Sequence, residues 1–370
     1  MKKEIIILSL VTCFLFLGAG SSQMFLIPYL SNSFAETQSS LVLATVYISI
    51  ILGVFLNVFL KEIRREKKRL FGLTGYVLFP LSVFLTREYF LLILSSIYWG
   101  VTATFYWVST ISTALDFSEE KDFGTNSGMI FFGSGIGTFF GTIMLSRVQE
   151  TYGYDFIFLA ATLLSILAFL PILFLGPDAG NPFETIELRD LLVTGGNKMI
   201  PFFIFIGYYG YGIIMNSVSS AVASTLGPSM IGVILSGYFL VSALFSVYGG
   251  RISDTLGRRK TFVLAFSSGA AGLLLGSVIL NSVTLAVLCV LLGFQVSTVP
   301  VNAYGWIGEK TKTGGRLSSI CSSFIWNSAA VTVSLLSSSI VYELSGSHQT
   351  VFFSFGIISL ICGIISNFLK

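Results

Sequence analysis

Apolar residues fill this chain in long runs, and the polar interruptions between them recur at nearly regular intervals. From Lys198 to Arg251, and again from Lys260 to Glu309, no Asp, Glu, Lys or Arg occurs inside the stretch. Each is long enough to cross a bilayer twice, at about 20 residues per helix. Cutting the chain at its charged or turn-forming interruptions predicts twelve spans, near 5–31, 37–60, 70–86, 89–115, 126–146, 156–176, 199–224, 229–250, 261–279, 282–307, 317–340 and 350–369. A membrane β-barrel would show short alternating segments instead, so the expected fold class is an all-α polytopic membrane protein.

Composition agrees with that pattern. Hydrophobic residues make up 54% of the 370 positions and charged residues 11%, against about 25% charged in an ordinary soluble domain. The opening "MKKEIIILSLVTCFLFLGAG" has the basic start of a secretory leader. Its apolar character runs on past Ser22 to Leu30, longer than a leader's core of about 7–15 residues, so it is expected to stay as a helix. Threading twelve spans with Lys2 and Lys3 inside leaves only Arg87 and Arg147 of the 21 basic residues outside. By the positive-inside rule this predicts a multi-pass protein of the cell membrane with both termini cytoplasmic. The net charge of +3 is therefore a topology signal and implies no nucleic-acid partner. The block "KEIRREKKR" at 61–69 reads first as a stop on translocation, and second as a contact for lipid headgroups.

Catalytic chemistry has little to work with. Cys13, Cys289, Cys321 and Cys362 all fall inside spans without metal-like spacing, and His348 is the only histidine. No metal site, cofactor or enzyme activity is expected.

Repetition is the next feature. "FLFLG" at 14–18 recurs as "FIFIG" at 203–207, an offset of 189 that lays residues 61–69 on 250–258 and Glu120 on Glu309. The chain then divides into six spans in 1–176, a linker in 177–198 with a short surface helix near "ETIELRDLL", and six spans in 199–370. Parallel six-helix repeats are an established transporter plan.

Within that frame "GRISDTLGRRK", Gly250 to Lys260, resembles the loop motif of the major facilitator superfamily through Gly250, Asp254, Gly257, Arg258 and Arg259. Glu309 and Arg316 in "GEKTKTGGR" resemble the acidic and basic ends of the family's loop after its tenth span. The resemblance covers the whole chain and implies two six-helix bundles working as a transporter by alternating access. It also implies a cytoplasmic gate in which Asp254, Arg258, Glu309 and Arg316 hold the inner side closed, with Gly250 and Gly257 serving the turn. In the first half the matching positions are Lys61 and Arg65, so that copy has lost its glycine and its acid.

The acidic residues Asp116, Glu119, Glu120, Asp122, Glu309 and Glu343 all fall at helix ends, and no charge is expected deep in a span. This predicts a neutral or largely apolar solute moved by facilitated diffusion or exchange rather than with protons. The family's cavity is lined by its first, fourth, seventh and tenth spans. The resemblance thus puts Gln23, Tyr106, Trp107, Tyr209, Asn216, Gln295, Asn302 and Trp306 in reach of solute, with Trp326 and Asn327 of the eleventh span beside them. Amides next to aromatic rings suit a hydroxylated neutral molecule such as a sugar or nucleoside. Gly133, Gly137 and Gly141 in the fifth span read as a close-packing stripe. A monomer in the lipid bilayer is expected. The rival reading is a non-transporting relative acting as chaperone, receptor or regulator of a partner.

Overall fold

The computed structural model describes residues 2–60, 62–117, 123–176, 199–310 and 316–368, without the side chains of several residues at helix ends, among them Asp116, Gly250, Asp254, Glu309 and Arg316. Among the described residues there are helices and no strands. In chain order the apolar helices are α1 Lys3–Leu30, α2 Glu36–Phe59, α3 Arg65–Leu85, α4 Tyr89–Asp116, α5 Phe123–Tyr152 and α6 Phe156–Ile172. The second set is α7 Met199–Leu226, α8 Met230–Leu256, α9 Arg258–Val278, α10 Ser282–Lys310, α11 Arg316–Ser345 and α12 His348–Ser366. Eleven are long and apolar enough to cross a membrane, and α6 is shorter, with a break after Ile166. The surface linker helix expected in 177–198 lies outside the described residues.

Each half repeats the same packing. α1 lies on α5 as α7 lies on α11, α2 on α4 as α8 on α10, and α3 on α6 as α9 on α12. α3 and α9 begin at 65 and 258, and α5 and α11 at 123 and 316, so the repeat has a register of 193. This corrects the offset of 189 by about one helical turn, and the reason is plain. Sliding an apolar helix by four residues keeps nearly the same face inward, so a five-residue apolar word cannot fix the turn. In the corrected register Asp254 matches Lys61 and Gly250 matches Asn57, so the first copy still lacks both acid and glycine.

The glycine stripe works as a seam. A Cβ on Gly133, Gly137 or Gly141 would fall well under 3.0 Å from the carbonyl oxygens of Ser9, Cys13 and Leu17, successive turns of α1. Across the halves, α5 runs along α8 and α2 along α11. Both α1 and α7 contain a π-helical turn, Phe16–Gly20 and Ile214–Val218. Such turns insert an extra residue and re-aim the helix, often at functional sites.

Candidate solute cavity and gates

A cavity of about 180 Å³ lies between the two halves. In α4 the residues Trp99, Ala103 and Trp107 follow one another at four-residue spacing, so they form a single stripe facing it. Gly100, one residue on, turns toward α2, where a side chain would strike the Val46 carbonyl. The wall is completed by Phe16 and Gln23 of α1, Tyr47 of α2, Tyr76 of α3, Phe131, Ser134 and Thr138 of α5, and Tyr208 and Tyr211 of α7. Tyr238, Phe239, Ser242 and Ser246 come from α8, Ser297 and Pro300 from α10, and Phe324, Asn327 and Ser328 from α11. Among the described residues of this wall none is Asp, Glu, Lys, Arg or His.

Polar groups in the wall are partly spent on one another. The Tyr47 hydroxyl lies 3.0 Å from Gln23 Oε1 as its donor, and 3.6 Å from Met215 Sδ. Trp107 Nε1 donates to the Tyr76 hydroxyl at 2.8 Å, while its ring stacks on Phe131. Trp99 is 1% exposed, stacks on Phe79, and its indole N–H has no hydrogen-bond partner in the protein. A buried unspent donor costs about 1–3 kcal/mol.

Of the residues expected at the cavity, Gln23, Trp107 and Asn327 line it. The other side chains are turned elsewhere. Tyr106, next to Trp107 but about 100° round the helix, hydrogen-bonds Thr12 Oγ1 at 2.6 Å. Tyr209 stacks on Phe355 and bonds Ser337, leaving its neighbours Tyr208 and Tyr211 to face inward. Asn216 Nδ2 lies 2.7–3.1 Å from Ser339 Oγ, Ser338 Oγ and the Leu335 carbonyl, joining α7 to α11. Gln295 accepts from Ser359 of α12 at 2.9 Å. Trp306 tilts against Phe262, and Trp326 meets Phe205 edge-on. Asn302 is fully buried and bonds Ser253 and the Arg258 backbone. An amide inside an apolar bundle can be held by a neighbouring helix instead of solute, and Asn216, Gln295 and Asn302 are, with Asn216 Oδ1 and Gln295 Nε2 left without a partner in the protein.

Tyr47, Tyr76, Trp99 and Tyr238 were missing from the expected set. A signal for the tyrosines was present: Tyr47 and Tyr76 sit mid-span, and Tyr238 well inside α8, whereas interfacial anchors belong at helix ends.

One end of the cavity, on the face away from the chain termini, is sealed by contacts between the halves. Pro28 has no N–H, so the Met24 carbonyl one turn earlier lacks its helical donor. The Ser219 hydroxyl of α7 supplies it. The Thr37 N–H at the start of α2 donates to Glu343 Oε1 of α11 at 2.9 Å, and the Ser40 and Ser339 hydroxyls bond each other. The Gly232 N–H of α8 donates to Ser146 Oγ of α5 at 2.9 Å. On the face carrying the termini, Ile320, Cys321 and Phe324 of α11 are set among Val54 of α2 and Val108, Ile111 and Ala114 of α4, and Ser246 Oγ of α8 reaches the Gly128 carbonyl of α5 at 3.4 Å.

At the gate motif, α8 ends at Leu256 and Gly257 takes φ +84°, a conformation that suits glycine. Arg258 then opens α9 and donates to Ser253 Oγ, while Arg259 is exposed. The expected partners Asp254, Glu309 and Arg316 have side chains outside the described residues. The first half departs from expectation in another way, because charge is buried there. Lys68 (8% exposed) bonds the Asn57 side chain at 2.7 Å and its carbonyl at 3.3 Å. Arg69 (1% exposed) donates to the Ser109 carbonyl at 3.3 Å and to Thr113 Oγ1. Two residues read as part of a translocation stop thus point into the bundle, where polar groups of α2 and α4 take up their protons.

The family model for the Major Facilitator Superfamily matches residues 8–193 and 201–369. Similar solved structures include the nucleoside transporter NupG, at 14% identity and TM-score 0.77, covering 99% of this chain and 98% of that one. The human organic anion transporter MFSD10 (TETRAN) matches at 13% identity and TM-score 0.72, covering 99% of this chain and 100% of its own. No curated protein sequence matches significantly. At such identities the structural likeness speaks for the fold, and the full-length family match settles membership: the chain belongs to the major facilitator superfamily.

Proposed function

We propose that this protein is a secondary transporter for an uncharged, ring-bearing solute with hydroxyl groups, moved by alternating access as facilitated diffusion or exchange. The observation that carries the reading is the wall itself: aromatic on most sides, with Gln23 and Asn327 as its amides and no charged residue among those described. A charged solute would pay heavily for desolvation against such a wall. Of an organic anion and a nucleoside, the anion finds no counter-charge here, whereas a nucleoside-like molecule would stack on the rings and hydrogen-bond the amides. The halves 1–176 and 199–370 would rock about this site, joined by 177–198. The face with both termini would be cytoplasmic by the positive-inside rule, so the seal at Met24, Thr37 and Gly232 would be the extracellular gate, closed in this structure.

The test is thermal unfolding of the detergent-purified monomer against sugars, nucleosides, amino acids, organic anions and lipophilic cations. Ligands that bind the folded state raise its stability with the logarithm of occupancy. A shift with nucleosides or related glycosides, weakened by Gln23→Ala, supports the proposal. A shift confined to anions or cations refutes it.

A further inference from the structure

We propose that Asn302 is a positioning residue of the gate on the face carrying the termini, acting through Arg258 rather than touching solute. Three side chains form a closed ring. The Arg258 guanidinium donates to Ser253 Oγ, the Ser253 hydroxyl donates to Asn302 Oδ1, and Asn302 Nδ2 donates to the Arg258 carbonyl at 2.8 Å. Its polarity has one solution. A guanidinium cannot accept, so the serine proton must go to the amide oxygen, and that leaves the amide nitrogen facing the carbonyl. Ser253 is 1% exposed and Asn302 is 0% exposed, so water does not substitute for either. The ring ties the end of α8, the start of α9 and the last third of α10 into one unit.

α10 is also a wall of the cavity, and the two roles meet at Pro300. That residue lines the cavity and, lacking an N–H, leaves the Val296 carbonyl without its helical donor, a place where a helix bends at low cost. Asn302 follows two residues later. A displacement of the cavity wall is therefore delivered to the ring and to Arg258, the motif's first arginine. Cys321 of α11, the helix that follows α10 in the chain, stands in the cross-half contact on this same face and so reports whether that face opens. In the 193-residue register Asn302 corresponds to Ser109, whose carbonyl accepts from Arg69, four residues past the position that matches Arg258, so the first half ties its third and fourth helices at the same level through a different set of groups.

The experiment needs no solute. The rate of N-ethylmaleimide alkylation at Cys321 is followed by peptide mass spectrometry in the full-length detergent-purified protein, with Cys289, buried within the second half, as the internal control. Ser253→Ala and Asn302→Leu are each expected to raise the Cys321 rate by roughly three- to tenfold, the range of one net hydrogen bond. The double variant should add little to either alone, because both break one ring. Ser253→Thr, which keeps the hydroxyl, should label like the parent. Additive effects, an unchanged Cys321 rate, or a parallel rise at Cys289 would each overturn the assignment, the last by showing general loosening. None of these outcomes depends on which solute the cavity takes, so failure here and failure of the transport proposal are separately visible.

Discussion

Replacing Gly232 by alanine should push the two halves apart at the sealed end. Gly232 lies on α8 directly against α5 of the other half, and a Cβ there would fall well under 3.0 Å from the Thr142 carbonyl oxygen and from Ser146 Oγ. Ser146 can rotate away, but the carbonyl is helix backbone and cannot. Reaching ordinary contact, about 3.5 Å, requires roughly 1 Å of separation between α5 and α8 at this level. Overpacking of this kind typically costs about 1–3 kcal/mol. Under the proposed alternating access the cost falls only on the state in which these ends touch, because the proposed outward-open arrangement separates them. At about 1.4 kcal/mol per factor of ten, the ratio of outward-open to closed molecules should rise by about 5- to 150-fold. The assay is labelling of a cysteine introduced at Ser219, which is fully buried in the seal, by a membrane-impermeant maleimide on intact cells. Faster labelling in Gly232→Ala than in the Ser219→Cys parent is the expected result. Equal rates with normal expression would refute the reasoning, since α5 and α8 would then not separate when the protein opens.

Three further outcomes follow from the same geometry. Trp99→Phe keeps a ring against Phe79 and removes a buried donor without a partner, a group that costs about 1–3 kcal/mol, so the apparent Tm should hold or rise in a thermal-shift measurement, and a clear fall would refute this. Gly137→Ala would drive a methyl into the Cys13 carbonyl within the first half, and about 1–3 kcal/mol of lost stability should appear as a lower apparent Tm with or without solute. Asp155, outside the spans, is held below the usual carboxylate range, first by the Tyr29 hydroxyl that donates to it at 2.6 Å and then by Arg87 at 2.8 Å. A depressed carboxylate stabilises the fold above its unfolded pKa of about 4 and stops doing so as pH falls through its lower folded value. Because the pair is half exposed, Asp155→Asn should cost under about 1 kcal/mol at pH 7 and progressively less as pH falls below the unfolded value, read by denaturant midpoint in detergent.

The spans, the family and the loop motif were legible because each is written in a strong local signal. Charge-free runs mark helices, and Asp254, Gly257 and Arg258 stand at fixed spacing in one loop. The cavity was legible only in part, because facing is a matter of about 100° per residue and one polar residue looks like the next. Trp107 faces the cavity and Tyr106 does not, Tyr208 and Tyr211 do and Tyr209 does not, and nothing in "FYW" or "GYYGYG" tells them apart without the neighbouring helices. Where Asn216 and Asn302 bond was hidden for a related reason. An amide in an apolar helix announces that it needs a partner, and the partners, Ser338 and Ser339 or Ser253 and Arg258, lie up to 123 residues away in sequence.

The first-half loop shows how a worn motif keeps a mechanical role. Without the acid and the glycine of the second copy, 61–69 reads as a bare run of positive charge. Yet a charge buried without a partner would be expelled or neutralised, and both Lys68 and Arg69 stay inside because Asn57, Ser109 and Thr113 accept from them. Those acceptors are uncharged, and they tie α3 to α2 and α4 within the first half. The second half closes its loop through Ser253, Asn302 and Arg258, again by neutral acceptors within one half. Each loop is thereby fastened inside its own half, and Ile320, Cys321 and Phe324 bring the two halves together beside them.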